Sequence, residues 1–279
     1  MGTLYLVATP IGNLDDISPR ALKVLREAVL IAAEDTRHTG KLLERFGIKN
    51  KLTSYWEHNK LNKLDFILDH LSQGDVALVS DAGTPGINDP GYELARAALA
   101  SSFDVIPVPG PSAPIAALSA SGLASDSFLY LGFLPHKSGE RRNFVEQVAN
   151  LPHTLIFLET PHRIADSLED LLAVLGDRRI CVAREMTKLH EEYWRGTVSG
   201  AVEHFKSKEP RGEFTLVIEG RAKVGNEQWE EDELLKALEE GLKAGKSAKE
   251  LSAELAGPSG WNKKEVYEKV NSLKGKRRA

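Results

Sequence analysis

The stretch Ser80-Asp81-Ala82-Gly83-Thr84-Pro85-Gly86-Ile87-Asn88-Asp89-Pro90-Gly91 follows the short apolar run Val76 to Val79 and precedes the helical pattern Tyr92 to Leu99. It reads as a strand, a rigid turn and a helix start in one piece, the unit from which α/β sheets are built. Gly83, Gly86 and Gly91 permit close backbone approach or positive φ, and Pro85 and Pro90 freeze φ. Asp89-Pro90 predicts an N-cap with proline at the first helical position. A loop of this kind at the carboxyl end of a strand is where open α/β folds place their ligands, and it is also what a well-made turn looks like.

Outward from this loop the same alternation runs in both directions. Thr3 to Ala8, Val29 to Ala33, Leu52 to Tyr55, Val76 to Val79 and Phe103 to Val108 read as strands. Between them Pro19 to Ala28, Thr36 to Phe46, Leu61 to Leu71, Tyr92 to Leu99 and Ala113 to Ala120 read as helices. Such alternation means βαβ units and a mostly parallel sheet. Ser18-Pro19 opens the first helix, Asn59 is placed to cap the third, and Gly47 and Gly74 stand where C-caps belong.

After Ser121-Gly122 the texture changes. Phe128 to Phe133, Thr154 to Leu158, Ile180 to Ala183, Tyr193 to Val198 and Phe214 to Ile218 are β-rich, with fewer helices between them. One helix is expected from Thr160-Pro161 through Leu175, and a shorter one capped by Ser199. A second α/β domain with a mixed sheet follows. From Glu230 the chain is helical and charged, with acids at Glu230 to Glu233 and a basic end at Lys274, Lys276, Arg277 and Arg278. Ser247 to Leu255, a break at Gly257-Pro258-Ser259-Gly260, and Asn262 to Leu273 fit either a helix-turn-helix or a solvated helical hairpin. The basic end fits an RNA contact or a free tail. The expected domains are 1–121, 122–222 and a helical appendage at 230–279.

The 279 residues are 42% hydrophobic and 27% charged, ordinary values for a globular protein with room for sizeable cores. With a net charge of -4, any polyanion must be met by a local patch. Cys181 is the one cysteine, which excludes an intramolecular disulfide and a multi-cysteine zinc site. The N-terminal run lacks a basic flank, and no apolar stretch approaches the roughly 18 residues needed to cross a bilayer. A cytoplasmic protein is the expectation.

G-x-G-x-x-G, Walker A, H-E-x-x-H and G-x-S-x-G motifs are all absent, which removes the usual dinucleotide, nucleoside-triphosphate, zinc-protease and hydrolase readings. Four other loops follow strands of the first domain: Ala8 to Asn13, Ala33 to Thr39, Ser80 to Gly91 and Pro107 to Ala113. In a parallel sheet they emerge from one edge and converge on one cleft.

Eight pieces in order carry a resemblance. They are LYLVATPIGNLDDIS (4–18), AEDTRHT (33–39), SDAGTPGINDPG (80–91), IPVPGPSA (106–113), GFLP (132–135), FLETPHRI (157–164), REMTKLHEEYWRGT (184–197) and RGEFTLVIEG (211–220). Together they resemble the tetrapyrrole methylase superfamily, and within it the bacterial 16S rRNA (cytidine-2'-O)-methyltransferases. The superfamily's first loop is typically V-G-x-G-P-G-D. Here Ala8 and Pro10 stand at two of its glycine positions, Gly12 is retained and Asn13 replaces the acid, a departure that fits the RNA branch.

The resemblance implies a two-domain fold, S-adenosyl-L-methionine as cofactor, 16S rRNA within the small ribosomal subunit as partner, and a homodimer. It implies cofactor contacts from Pro10, Gly12, Asp81, Gly83, Thr84, Pro85, Gly110, Ser112 and Ala113 in the first domain, and from Phe157, Leu158, Gly212, Phe214 and Thr215 in the second. Backbone N–H groups of Gly83 to Gly86 and Gly110 to Ala113 suit a methionine carboxylate. The reaction implied is transfer of a methyl group to a ribose hydroxyl of one cytidine in the decoding region, with no metal. It needs alignment of the reactants and a group to take the hydroxyl's proton. Glu34, Asp35, Asp81, Glu159 and Glu185 are candidates, each also able to serve as a cap or an ion-pair partner. Glu34, Asp35, Asp81 and Arg37 are the expected catalytic set, with Asp35 or Asp81 at the hydroxyl and Arg37 facing a phosphate. His38, Arg163, Lys188, Arg195, Tyr193 and Trp194 could add RNA contacts. Two alternatives remain: a methyltransferase acting on a small tetrapyrrole or a protein side chain, and a non-catalytic nucleotide-binding module.

Overall fold

Strands β1 (Thr3–Val7), β2 (Leu30–Ala33), β3 (Leu52–Ser54), β4 (Val76–Val79) and β5 (Asp104–Val108) form one sheet in the order β3-β2-β4-β1-β5. Every pairing is parallel, with Leu6 opposite both Leu78 and Pro107, so the loops after the strands leave along a single edge. This is a computed structural model and describes residues 2–206, 211–221 and 229–276. Strands β2 and β4 are buried at every position, as runs covered on both faces must be. Alternate residues serve opposite faces. Val7, Ile31, Ala77 and Val79 pack with Leu25 of α1 (Pro19–Glu27) and Leu42 of α2 (Thr36–Arg45). On the other face Leu4, Leu30, Val76 and Leu78 pack with Ile67 and Leu71 of α3 (Leu64–Gln73) and Leu94 of α4 (Tyr92–Ala100).

The second sheet contains β6 (Phe128–Phe133), β7 (Thr154–Glu159), β8 (Arg179–Arg184), β9 (Glu192–Thr197) and β10 (Phe214–Ile218), in the order β6-β7-β10-β8-β9. Only β6 and β7 run parallel, which makes the sheet mixed, as expected. One face is covered by α6 (Ser138–Glu146), α7 (Ile164–Leu175) and α8 (Val198–Lys206). The other receives α5 (Ala113–Ser121), whose Ala117 and Leu118 pack on Ile156, Cys181, Ala183 and Val217. The helix that follows the first sheet thus closes the core of the second. Cys181 is buried, and burial pushes its thiol pKa up against the opposing charge of Arg195.

Several local expectations change in this setting. Helix α6 is additional, since SGERRNFVE has little apolar periodicity. It is held by an ion pair in which the Arg141 and Asp170 side chains are both 4% exposed. Helix α7 begins at Ile164 rather than at Thr160-Pro161, because Thr160 donates its backbone N–H to Glu159 within a turn. Ser199 lies inside α8 and does not cap it; Asp177 accepts both the Ser199 backbone N–H (2.8 Å) and its hydroxyl (2.9 Å). Asn59 accepts the Trp56 N–H at 2.8 Å instead of capping α3. Helix α4 starts after Gly91 without a side-chain cap, which releases Asp89 from the role its sequence suggests.

Residues 1–220 and 221–279 are separate compact units. The second contains α9 (Glu231–Lys243), α10 (Ala248–Ser259) and α11 (Lys263–Lys276) around Leu234, Leu238, Leu251, Val266 and Val270. Ser247 and Glu250 form a capping box at the start of α10. The expected break at Gly257-Pro258 is absent: the helix runs through Pro258 and ends where Gly260 takes φ +70°. The side chains of the basic end, Lys274, Lys276, Arg277 and Arg278, lie outside the described residues, as does residue 222. Among the described residues no helix is long and apolar enough to cross a membrane.

Candidate functional site

The loops after β1, β4 and β5 are stitched together at the shared sheet edge. Thr9 and Gly83 exchange backbone hydrogen bonds of 2.9 and 3.0 Å, with Gly83 at φ +82°, a left-handed conformation in which a β-branched residue is strained. The Thr84 hydroxyl donates to the Pro111 carbonyl at 3.3 Å. Gly110 lies so close to Ala8 that a Cβ there would stand 2.9 Å from the Ala8 methyl. The loop after β2 is locked to the same group: the Asp81 N–H donates to Glu34 Oε2 at 3.3 Å, and the Asp35 N–H to Asp81 Oδ1 at 3.0 Å.

Against these loops lies a cavity of about 410 Å³, within the range that small-molecule sites occupy. The first sheet's side contributes Glu34, Asp81, Gly83, Thr84, Asn88, Asp89, Ser112 and Ala113. The second sheet's side contributes Tyr130, Phe133, Leu158, Glu159, Met186, Gly212, Phe214 and Thr215. The first side carries three carboxylates, and the second is richer in large apolar side chains but also carries Glu159 and Glu213.

Burial raises the Glu34 carboxyl pKa, relieved by the Asp81 N–H and reinforced by the charges of Asp81 and Asp35. Burial and the Glu34 charge push Asp89 from its ordinary 3.8 to about 6, against a hydrogen bond from Ser80. The Tyr130 phenol is pushed up to about 12 by burial and by Asp89. Among the described residues no group of three or more His, Cys, Asp or Glu side chains is arranged to hold a metal ion.

Of the expected site residues, Glu34, Asp81, Gly83, Thr84, Ser112, Ala113, Leu158, Gly212, Phe214 and Thr215 come together around the cavity. Pro85, Gly110 and Phe157 do not line it, and Pro10 lines a second, smaller cavity of about 140 Å³. Gly12 packs beside Thr187 and Lys188, and the next residue, Asn13, donates its N–H to the Thr187 hydroxyl at 3.0 Å. Gly83 spends its N–H on Thr9, so it is not a free donor for a ligand carboxylate. Asp35 caps α2 through the Arg37 N–H and pairs with the Arg37 guanidinium at 2.7 Å, whose hydrogen bonds hold its carboxyl well below the usual carboxylate range.

The remaining candidates are committed elsewhere. Glu159 accepts from Thr160, Ser167 and Arg163, a buried network that ties β7 to α7. Glu185 accepts from Lys188 and from the Glu213 N–H; these partners lower its pKa against the opposing effect of burial. Arg195 donates to the carbonyls of Ala120 and Tyr193, and Trp194 packs on the second sheet's core. Asp89 is the residue that sequence reasoning missed. Its Asp-Pro context imitates a helix cap, and only the later start of α4 turns it to the cavity.

A family model described as Tetrapyrrole (Corrin/Porphyrin) Methylases matches residues 3–201. The chain belongs to this family. A Halalkalibacterium halodurans protein named ribosomal RNA small subunit methyltransferase I is 46% identical over 270 residues, covering 95% of this chain and 93% of its own. An Escherichia coli O157:H7 protein of the same name is 52% identical over 223 residues, 78% of each chain. In fold the chain is similar to the methyltransferase CobJ, with a TM-score of 0.60 at 18% identity over 80% of this chain and 95% of that one. It is also similar to uroporphyrin III C-methyltransferase from Thermus thermophilus, with a TM-score of 0.55 at 19% identity over 79% and 98%.

As a tetrapyrrole methylase the protein depends on S-adenosylmethionine. The cavity's chemistry fits that molecule. Its carboxylates favour a cationic sulfur, and its apolar side chains suit a purine face. Ser112 and Ala113 bring the N-terminus of α5 into the lining, where the helix dipole and unpaired N–H groups favour a carboxylate.

Proposed function

We propose that this tetrapyrrole methylase 2'-O-methylates a cytidine in the decoding region of 16S rRNA, cytidine 1402, within the small ribosomal subunit. The observation that carries the reading is the cavity lined by Glu34, Asp81 and Asp89 from the first half (1–121) and by Tyr130, Phe133, Leu158, Met186 and Phe214 from the second (122–222), in a chain 46% identical to a protein named as a ribosomal RNA methyltransferase. When bound, S-adenosylmethionine supplies a methyl carbon on a cationic sulfur, which leaves as a neutral thioether as the carbon gains its bond to oxygen.

The chain's own residues have three tasks. Glu34, Asp81 and Asp89 supply negative potential to the cavity, whose apolar lining includes Leu158, Phe133 and Phe214. Gly83, Thr84, Ser112, Ala113, Gly212 and Thr215 shape the binding surface between them. Asp81 holds the ribose hydroxyl and accepts its proton: one carboxylate oxygen is fixed by the Asp35 N–H, which aims the other. Asp35 and Arg37 act behind it, since their mutual pair anchors the turn that supplies this N–H.

Tritiated methyl transfer to unmodified small subunits, followed by nucleoside mass spectrometry, tests the reading. Label in 2'-O-methylcytidine is expected, whereas label on the cytosine ring, on protein or on a tetrapyrrole overturns it. Asp81→Asn is expected to lower kcat by about 10²- to 10⁴-fold, the usual contribution of a positioned base.

A further inference from the structure

A smaller cavity shares one lining residue with the larger one, Asp81. Its other walls are Pro10 and Leu14 from the segment after β1, and His38, Lys41 and Leu42 from α2. At about 140 Å³ it has a third of the first cavity's volume, too little for a second large cofactor. Unlike the larger one, it is lined by a lysine. His38 and Lys41 stand one turn apart on the same helix face, and both are exposed. Lys41 makes no ion pair among the described residues. Arg163, Lys188 and Arg195 are all held by protein groups, so this face of α2 is where an acidic chain keeps an uncommitted cation beside a carboxylate of its site.

We propose that the small cavity receives the target nucleotide, with its ribose against Asp81 and an adjoining phosphate on Lys41 and His38, while Leu14 and Leu42 line the apolar remainder. A nucleotide there meets the same Asp81 that lines the large cavity. The hydroxyl is thereby held at the junction of the two spaces. This rests on the RNA-methyltransferase reading above and adds the location and chemistry of its substrate site. The net charge of -4 explains why the contact must be local and reinforced by shape.

The test uses full-length protein and unmodified small subunits, with S-adenosylhomocysteine as a separate probe. Lys41→Ala is expected to weaken subunit binding and to reduce the slope of log affinity against log salt by about 1, the mark of one lost phosphate contact. Leu14→Trp fills the cavity from a side chain already 39% exposed, and so tests it without disturbing the core. It is expected to raise the KM for subunits by about tenfold. Calorimetry should find S-adenosylhomocysteine affinity within about twofold of the parent in both variants. Unchanged subunit binding and an unchanged salt slope overturn the assignment. Parallel loss of both affinities also overturns it, by making the two cavities one site. If the parent protein does not methylate the subunit, the functional reading itself fails; an active parent with an indifferent Lys41→Ala defeats only the nucleotide site.

Discussion

Asp89 shows how one side chain changes meaning with its surroundings. Asp-Pro ahead of a helical pattern predicts a cap, yet the helix begins at Tyr92 and the carboxyl is left half-buried near Glu34 and Asp81. Its folded pKa, about 6, lies above the ordinary 3.8. The folded state therefore binds the extra proton, and Asp89's contribution to stability is greatest below about pH 4 and is lost as pH rises through about 6. Asp89→Asn removes this dependence. The variant's Tm relative to the parent should rise between pH 4 and pH 7 in thermal melts, and a pH-independent difference would deny the raised pKa. Asp35 is the converse case, a half-buried acid whose cap and ion pair account for its place in the AEDTRHT motif.

At the scale of elements, α6 shows a helix specified by a polar anchor more than by an apolar stripe. Asp170 on α7 accepts from Arg141 at 2.7 Å, from Arg142 at 2.6 Å and from Ser138 at 2.9 Å. These partners keep its pKa low even though burial raises it. Arg141 also donates to the carbonyls of Pro135 and His136, which sets the chain's path from β6 into α6. Removing one member leaves the other charge buried and uncompensated. Asp170→Ala is expected to cost about 3–5 kcal/mol in urea unfolding. A loss below about 1 kcal/mol would mean that the pair behaves as an exposed bridge.

For the whole molecule, the two compact units each have a core of their own, and the family match ends at residue 201. Removing residues 221–279 is expected to leave S-adenosylhomocysteine affinity within about twofold, because every residue of the large cavity lies in the first unit. Loss of that affinity in calorimetry would make the helical unit part of the cofactor-binding body. We also propose a homodimer. Trp56, Leu61, Phe66, Tyr92 and Leu99 are exposed on or near α3 and α4, which pack on each other, and a second copy of the chain would cover such apolar side chains. Light scattering should give twice the 30.6 kDa of the chain, and a monomer mass would reject the assembly.

The glycine- and proline-bearing loops, the β-rich runs and the two kinds of sheet were legible in the sequence, because turn chemistry and hydrophobic period are short-range properties of neighbouring residues. The parallel first sheet followed from strand–helix alternation, and with it the edge where Glu34, Asp81, Gly83 and Ser112 meet. Packing between segments far apart in the chain decided the rest. Asp177 caps a helix that begins 21 residues later, and Gly83 gives its N–H to Thr9. Which carboxylates are desolvated and which are neutralised depends on what stands opposite them. That separated Asp81 and Asp89, facing the large cavity, from Asp35 and Glu185, which carry the same charge and are held by a neighbouring cation.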